Sequence, residues 1–200
     1  MSENKTYQKV EHLFLRCGFK SVTMDDVAKE LGISKKTLYQ FVSNKNDLIE
    51  KVVSAHIEQE KQLVTEVRKK AKDAIEEMLV ISKHVNQNLK KVSSNLIFDL
   101  QRYYPSAWDI VENYRIKFIY EEIKSNVEWG MKEGIYRKEI NPKIIAKLYI
   151  GIMHRIFDNS FFPSDEYKSS EIYLASVEYH IHGIASPKGL KLLNEYYENQ

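Results

Sequence analysis

The chain is expected to be all-α: a small three-helix head bearing a helix-turn-helix, joined by a fourth helix to a larger helical domain. Three observations predict this. Apolar residues recur at spacings of three and four along most of the chain, and no alternating strand pattern stands out. Only four prolines and seven glycines interrupt 200 residues. The stretch Thr23-Met24-Asp25-Asp26-Val27-Ala28-Lys29-Glu30-Leu31-Gly32-Ile33-Ser34-Lys35-Lys36-Thr37-Leu38-Tyr39 reads as two short helices about a glycine turn. That is the form in which a helix is set into the DNA major groove.

The first helix is expected from about Thr6 to Cys17, with Val10, Leu13, Phe14 and Cys17 on one stripe and Gly18 as a left-handed cap. On that stripe Cys17 reads as a small core residue. Thr23 reads as the next N-cap, with Asp26 completing a capping box. The second helix turns Val27, Ala28 and Leu31 to one face and stops at Gly32. Ser34 caps the third helix, which is expected to hold Leu38 and Phe41 inward. Asn44 with Asp47 marks the start of a fourth helix running into the sixties. Each of the first three helices offers one small apolar face, so together they bury a single core. The head is placed at residues 1–47 and the larger domain at 48–200.

Most of the 13 tyrosines, 8 phenylalanines and 2 tryptophans follow residue 50. Tyr104-Pro105 predicts a bend, because proline biases its predecessor away from helix. A long helix is expected from about Ser106 to Glu133, capped by Gly134. Asn141-Pro142 then supplies an N-cap and a proline at the first helical position. The helix from Pro142 to about Asn159 is apolar nearly all round and needs partners on two sides. The last large helix, near Ser170 to Gly183, carries two apolar stripes: Ile172, Ala175, Tyr179 and Leu174, Val177, Ile181. One stripe facing its own domain and one facing a second copy would make a four-helix seam in a symmetric homodimer. The interface candidates are Leu148, Ile152, Ile156, Leu174, Val177 and Ile181.

A net charge of +2 does not argue for nucleic acid, but residues 31–46 carry Lys35, Lys36 and Lys45 and no acid. One cysteine cannot staple a fold, which suits a reducing compartment. The N-terminus is polar, with no apolar signal region. The greasiest segment, Ile144 to Phe157, is interrupted by Lys147, His154 and Arg155 and is too short for a bilayer, so no membrane association is expected and the cytoplasm is the expected location. His180 and His182 stand two apart and do not share a helix face. No metalloprotease, Cys-x-x-Cys, phosphate-loop or nucleophile motif is present, and Glu76-Glu77 and Glu121-Glu122 read as solvated faces. No catalytic residue, metal or cofactor is therefore expected. A helical enzyme is one alternative. Another is a helical small-molecule-binding protein with degenerate DNA binding.

Leu13-Phe14 before Gly18-Phe19, Thr23 before Val27-Ala28, Leu31-Gly32-Ile33-Ser34, Thr37-Leu38-Tyr39, and Lys45 with Leu48 stand at fixed spacing. Over roughly residues 10 to 50 the chain resembles the TetR family of one-component bacterial transcription regulators. Gly134-Ile135-Tyr136 and Gly183-Ile184-Ala185-Ser186-Pro187-Lys188-Gly189 are also similar to segments of that family. The resemblance implies an Ω-shaped dimer with paired recognition helices and a C-terminal domain that binds a small effector. It implies a repressor on a near-palindromic double-stranded DNA operator, released by that effector.

Carried onto this chain, the resemblance makes Thr23 a cap that touches phosphate. Ser34 caps the recognition helix and leaves the amides of Lys35 and Lys36 outward, an anion site. Lys35, Lys36 and Thr37 stand where the family reads bases and backbone. Lysine suits guanine O6 or N7, and the threonine methyl suits a thymine methyl. Tyr39 and Lys45 are implied phosphate contacts, and Gln40, exposed by its spacing, suits adenine. One departure is that Phe41-Val42 stands where the family usually has histidine or tyrosine and then phenylalanine. For the effector, the resemblance points to Phe98, Tyr103, Trp108, Tyr114, Phe118 and Trp129, an aromatic wall suited to a mostly apolar ligand.

Overall fold

A computed structural model describes residues 3–198, and among them there are helices and no strand. The helices are α1 (Glu3–Cys17), α2 (Met24–Leu31), α3 (Lys35–Leu38), α4 (Lys45–Lys70), α5 (Ala74–Leu89) and α6 (Ser94–Tyr103). They continue with α7 (Pro105–Asn113), a π-helical stretch (Tyr114–Ile119), α8 (Tyr120–Glu133), α9 (Pro142–Arg155), α10 (Ser169–Ile184) and α11 (Pro187–Glu198). The long helix expected to Glu133 is thus three pieces, with six residues of wider winding in the middle.

The chain packs as two compact units. The first holds the residues up to Gln62 together with Lys91–Tyr114; the second holds Leu63–Lys90 and the residues from Arg115 onward. The α6–α7 pair therefore packs with the head, whereas the sequence reading ended the head's core at residue 47.

In the first unit, Val10, Leu13 and Phe14 of α1 meet Val27, Ala28 and Leu31 of α2, Leu38 of α3 and Leu48, Ile49 and Val52 of α4. Leu96, Leu100, Tyr104 and Ala107 of α6 and α7 close the same core. Cys17 is exposed, contrary to its expected place in this core. The helix ends there, the chain reverses at Gly18 (φ 82°), and Phe19 fills the inward place, its ring 5.0 Å from that of Phe14. Phe41 is likewise not inward: it is 60% exposed, while Val42 is buried. Leu38 and Val42, four apart, take the two inward places, and Phe41 between them is left to solvent.

In the second unit the core runs through Ala74, Ile75 and Met78 of α5, Ile123 and Val127 of α8, Ala146, Tyr149 and Ile150 of α9, and Tyr173, Val177 and Ile181 of α10. Three expected interface residues, Ile156, Val177 and Ile181, belong to this core and are not available to a second copy. The inward stripe of α10 is Tyr173, Val177, Ile181 and Ile184, which leaves Leu174 and Tyr179 outward. Glu77 is not on a solvated face: it is almost wholly buried. The two distant segments that resemble the family meet here. Arg137 N donates to Ile184 O at 2.9 Å, Ser186 N to Ile135 O at 2.9 Å, and the Ser186 hydroxyl to Gly134 O at 2.8 Å.

Candidate nucleic-acid interface

The surface of interest begins at Thr23. Its hydroxyl accepts from Asp26 N at 3.2 Å and donates to the Asp26 carboxylate at 2.6 Å, while Thr23 N donates to the same carboxylate at 2.9 Å. These bonds start α2 and hold the Asp26 carboxyl below its usual range. They also occupy the hydroxyl hydrogen that a phosphate contact by Thr23 would use.

The turn between α2 and α3 needs a left-handed residue, and Gly32 supplies it with φ 68°. Gly32 N and Ile33 N then satisfy the last carbonyls of α2, Lys29 O and Ala28 O. Ser34 caps α3 by accepting from Thr37 N at 3.0 Å, and its hydroxyl meets that of Thr37 at 2.8 Å. With α3 only four residues long, few peptide dipoles align, so the anion site expected at its start is weak. Single-turn bonds from Gln40 N to Thr37 O and from Phe41 N to Leu38 O carry the winding on to Val42.

Buried Leu38 and Val42 anchor this element, and the opposite side is presented outward. Lys36, Tyr39 and Gln40 are exposed there, as the sequence predicts, and Phe41 joins them. Lys35 is exposed too, but its ammonium pairs with Asp25 at 2.9 Å, a surface bridge of little energetic weight that still competes with a phosphate. Thr37 is half-buried.

Lys45 differs from the expected free phosphate contact. Its ammonium donates to Lys20 O at 3.2 Å, and burial pulls its pKa down against Asp26 and Asp99, which pull it up. Lys51, which sequence reasoning passed over, donates to Phe41 O at 2.6 Å and so ties the end of the reading element to α4. Its place one turn after Asp47, whose carboxylate accepts from Ser43 N at 2.7 Å, is the signal that could have found it.

The six aromatics offered for an effector wall are divided between the two units. Phe98 and Tyr103 are exposed, Trp108 packs on the core of the first unit, and Tyr114 is half-buried at the start of the π-helical stretch. Phe118 is half-buried in the second unit. Trp129 packs on that unit's core and donates to the Glu133 carboxylate at 2.7 Å. Two polar groups in the same core were missed. Asn86 Oδ1 and His180 Nε2 are buried without a hydrogen-bond partner, and burial pushes the His180 imidazole down to about 4, so it is neutral near pH 7.

Among the described residues no three His, Cys, Asp or Glu side chains gather as a metal site, and no helix is long and apolar enough to cross a membrane.

A family model described as bacterial regulatory proteins of the tetR family matches residues 11–52, the whole of this surface. YvaF, an HTH-type transcriptional regulator of Bacillus subtilis, is 26% identical over 175 residues, 83% of this chain and 87% of the relative. Two solved structures share the fold. FadR of B. subtilis, solved with stearoyl-CoA, has a TM-score of 0.62 at 15% identity and spans 90% of this chain and 98% of its own. A transcriptional regulator of Saccharomonospora viridis, solved with choline, has a TM-score of 0.67 at 14% identity and spans 91% of this chain and 96% of its own. At those identities the likeness speaks for the fold alone.

Proposed function

We propose that the chain, whose residues 11–52 match the tetR family model, is a TetR-family transcription regulator and not an enzyme: a cytoplasmic, homodimeric repressor released from its operator by a small, mostly apolar effector. The observation that carries the DNA half of this reading is the outward face of Lys36, Tyr39, Gln40 and Phe41, held on a rigid turn by Leu38, Val42 and Lys51. Lys36 and Gln40 offer hydrogen bonds to base edges, Tyr39 offers a hydroxyl to phosphate, and Phe41 offers apolar contact to a thymine methyl. The family's usual histidine or tyrosine would add a polar group at that last place, so this chain trades a backbone contact for an apolar one.

The homodimer is supported by α9 and α10, which pack on each other in the second unit and leave Ile144, Leu148, Leu174 and Tyr179 exposed at 56, 59, 43 and 76%. Ile144 and Leu148, four apart on one face of α9, with exposed apolar side chains on the neighbouring α10, offer surface that a second copy can bury. Ile152, expected in the same interface, is half-buried one turn after Leu148. Two heads then face two half-sites, so the operator is near-palindromic with half-sites about one DNA turn, 34–36 Å, or a multiple apart.

The effector reading rests on the second unit. A stearoyl-CoA complex of one neighbour supports an apolar ligand, and the choline complex of another shows that this fold does not fix the ligand. Asn86 Oδ1 and His180 Nε2, buried without a hydrogen-bond partner in that unit, offer an effector polar contacts. α4 runs unbroken through both units, from Lys45 to Lys70, and is the lever. An effector that binds better to one arrangement of that lever must weaken DNA binding by the same factor. The reading needs no cofactor.

The test is selection of duplexes from a random-sequence pool with the full chain. A two-fold symmetric consensus is expected. Enrichment of a single unrepeated half-site would overturn the dimer, and no enrichment would overturn the sequence-reading role.

A further inference from the structure

Lys20 lies in the loop between α1 and α2, three residues before Thr23, outside every expected contact. Its side chain is exposed, and its ammonium sits 4.9 Å from the centroid of the exposed Tyr103 ring, at the last residue of α6. Its own carbonyl receives the Lys45 ammonium at 3.2 Å. Asp26 and Asp99 act on Lys45, whereas Lys20 makes no ion pair among the described residues. The expected phosphate contact is thus partly withdrawn into the fold, and the neighbouring lysine is the outward cation.

We infer that Lys20, steadied by the Tyr103 ring, is a phosphate clamp for double-stranded DNA and that α6 thereby forms part of the DNA-binding surface. A free lysine side chain loses much rotamer freedom when it meets a phosphate. A cation already resting over an aromatic face loses less, because part of that ordering has been done in the unbound protein. The ring carries no opposite charge, so Lys20 can meet a phosphate oxygen from its place over the ring without breaking an ion pair. The arrangement also compensates for Lys45, whose ammonium must give up a carbonyl to reach DNA. Phosphate contacts of this kind set position and affinity without reading sequence.

This inference rests on the DNA-binding reading above, and the experiment separates the two. The probe is the duplex most enriched from a random-sequence pool, titrated with wild type, Lys20→Ala, Tyr103→Leu and Tyr103→Phe across a range of salt. One phosphate contact contributes about 0.9 to the slope of log K against log salt, which is about eightfold in affinity near 0.1 M salt. Lys20→Ala is expected to flatten the slope by about that amount and weaken preferred and scrambled duplexes alike. Tyr103→Leu keeps the charge, so the slope is expected to hold while affinity falls about two- to fivefold, and Tyr103→Phe is expected to restore it. In a Lys20→Ala background, Tyr103→Leu is expected to do nothing further. Thermal unfolding of each variant checks that the head is intact. Should wild type bind with a steep slope that Lys20→Ala leaves unchanged, the clamp is wrong and the DNA-binding reading stands. Equal losses in Tyr103→Phe and Tyr103→Leu would refute the role of the ring. Absence of salt-dependent binding by wild type would overturn both.

Discussion

Replacing Arg68 by methionine is expected to destabilise the second unit in a way that grows with pH. Arg68, two residues before the end of α4, donates from Nε to Glu77 at 2.7 Å, and Asn126 donates to the other Glu77 oxygen at 2.7 Å. The Glu77 side chain is 2% exposed and the Arg68 side chain 27%. Removing one member of a buried pair strands the other charge, at a cost of about 3–5 kcal/mol. Asn126 still bonds one oxygen and Arg68 is open to water on one side, so the low end, about 3 kcal/mol, applies. For a chain of this length that is a fall in Tm of about 6–12 °C.

Burial already pushes the Glu77 carboxyl above its usual range, against the opposing pulls of Asn126 and Arg68, and Glu122 pushes it further up. Without Arg68 it rises again. A carboxyl with a raised folded-state pKa holds its proton longer folded than unfolded. Its contribution to stability is therefore lost as pH rises from the unfolded value through the folded one. The Arg68→Met deficit should accordingly be larger at about pH 8 than at about pH 5. Replacing both residues by methionine should recover most of the loss, since a buried pair often exchanges for apolar packing at little cost. Calorimetric unfolding of the full-length single and double variants at both pH values is the assay. A loss under about 1 kcal/mol, the range of surface bridges, or a deficit indifferent to pH, would refute the argument.

Other expectations follow from the same geometry. At Gly130 an added Cβ would stand 2.7 Å from Cγ of the fully buried Tyr136 ring and closer still to Cδ2, so Gly130→Ala should cost about 1–3 kcal/mol by thermal unfolding despite alanine's better helix propensity. Leu148→Glu with Tyr179→Glu should leave the monomer folded and shift sedimentation to the single chain; a dimer that survives both would place the seam elsewhere. Lys36→Ala should change the selected consensus, whereas Tyr39→Phe should weaken all duplexes alike, and a consensus that Lys36→Ala leaves intact would remove that residue from base reading.

What could be read beforehand was local. Thr23 with Asp26, Gly32, Ser34, Asn44 and Asn141 act on amides within four residues, so their caps and turns needed no knowledge of partners. What could not be read depended on distant neighbours. Glu77 looks like a solvated acid until Arg68 and Asn126 arrive from other helices. Val177 and Leu174 are equally apolar, and only packing against α5 and α9 decides that Val177 turns inward. Phe41 and Val42 are adjacent, so a small error in phase at the end of a four-residue helix exchanged their roles. Lys20 and Tyr103 are 83 positions apart, and nothing in their spacing pairs them.

The most direct measurement is equilibrium binding of the full chain to its most enriched duplex, and to a scrambled duplex of the same composition, from about 0.05 to 0.4 M salt. The account predicts about a thousandfold or greater preference for the enriched duplex, two chains per site, and parallel steep salt slopes from shared phosphate contacts. Equal affinity for the two duplexes, or a slope near zero, would contradict it.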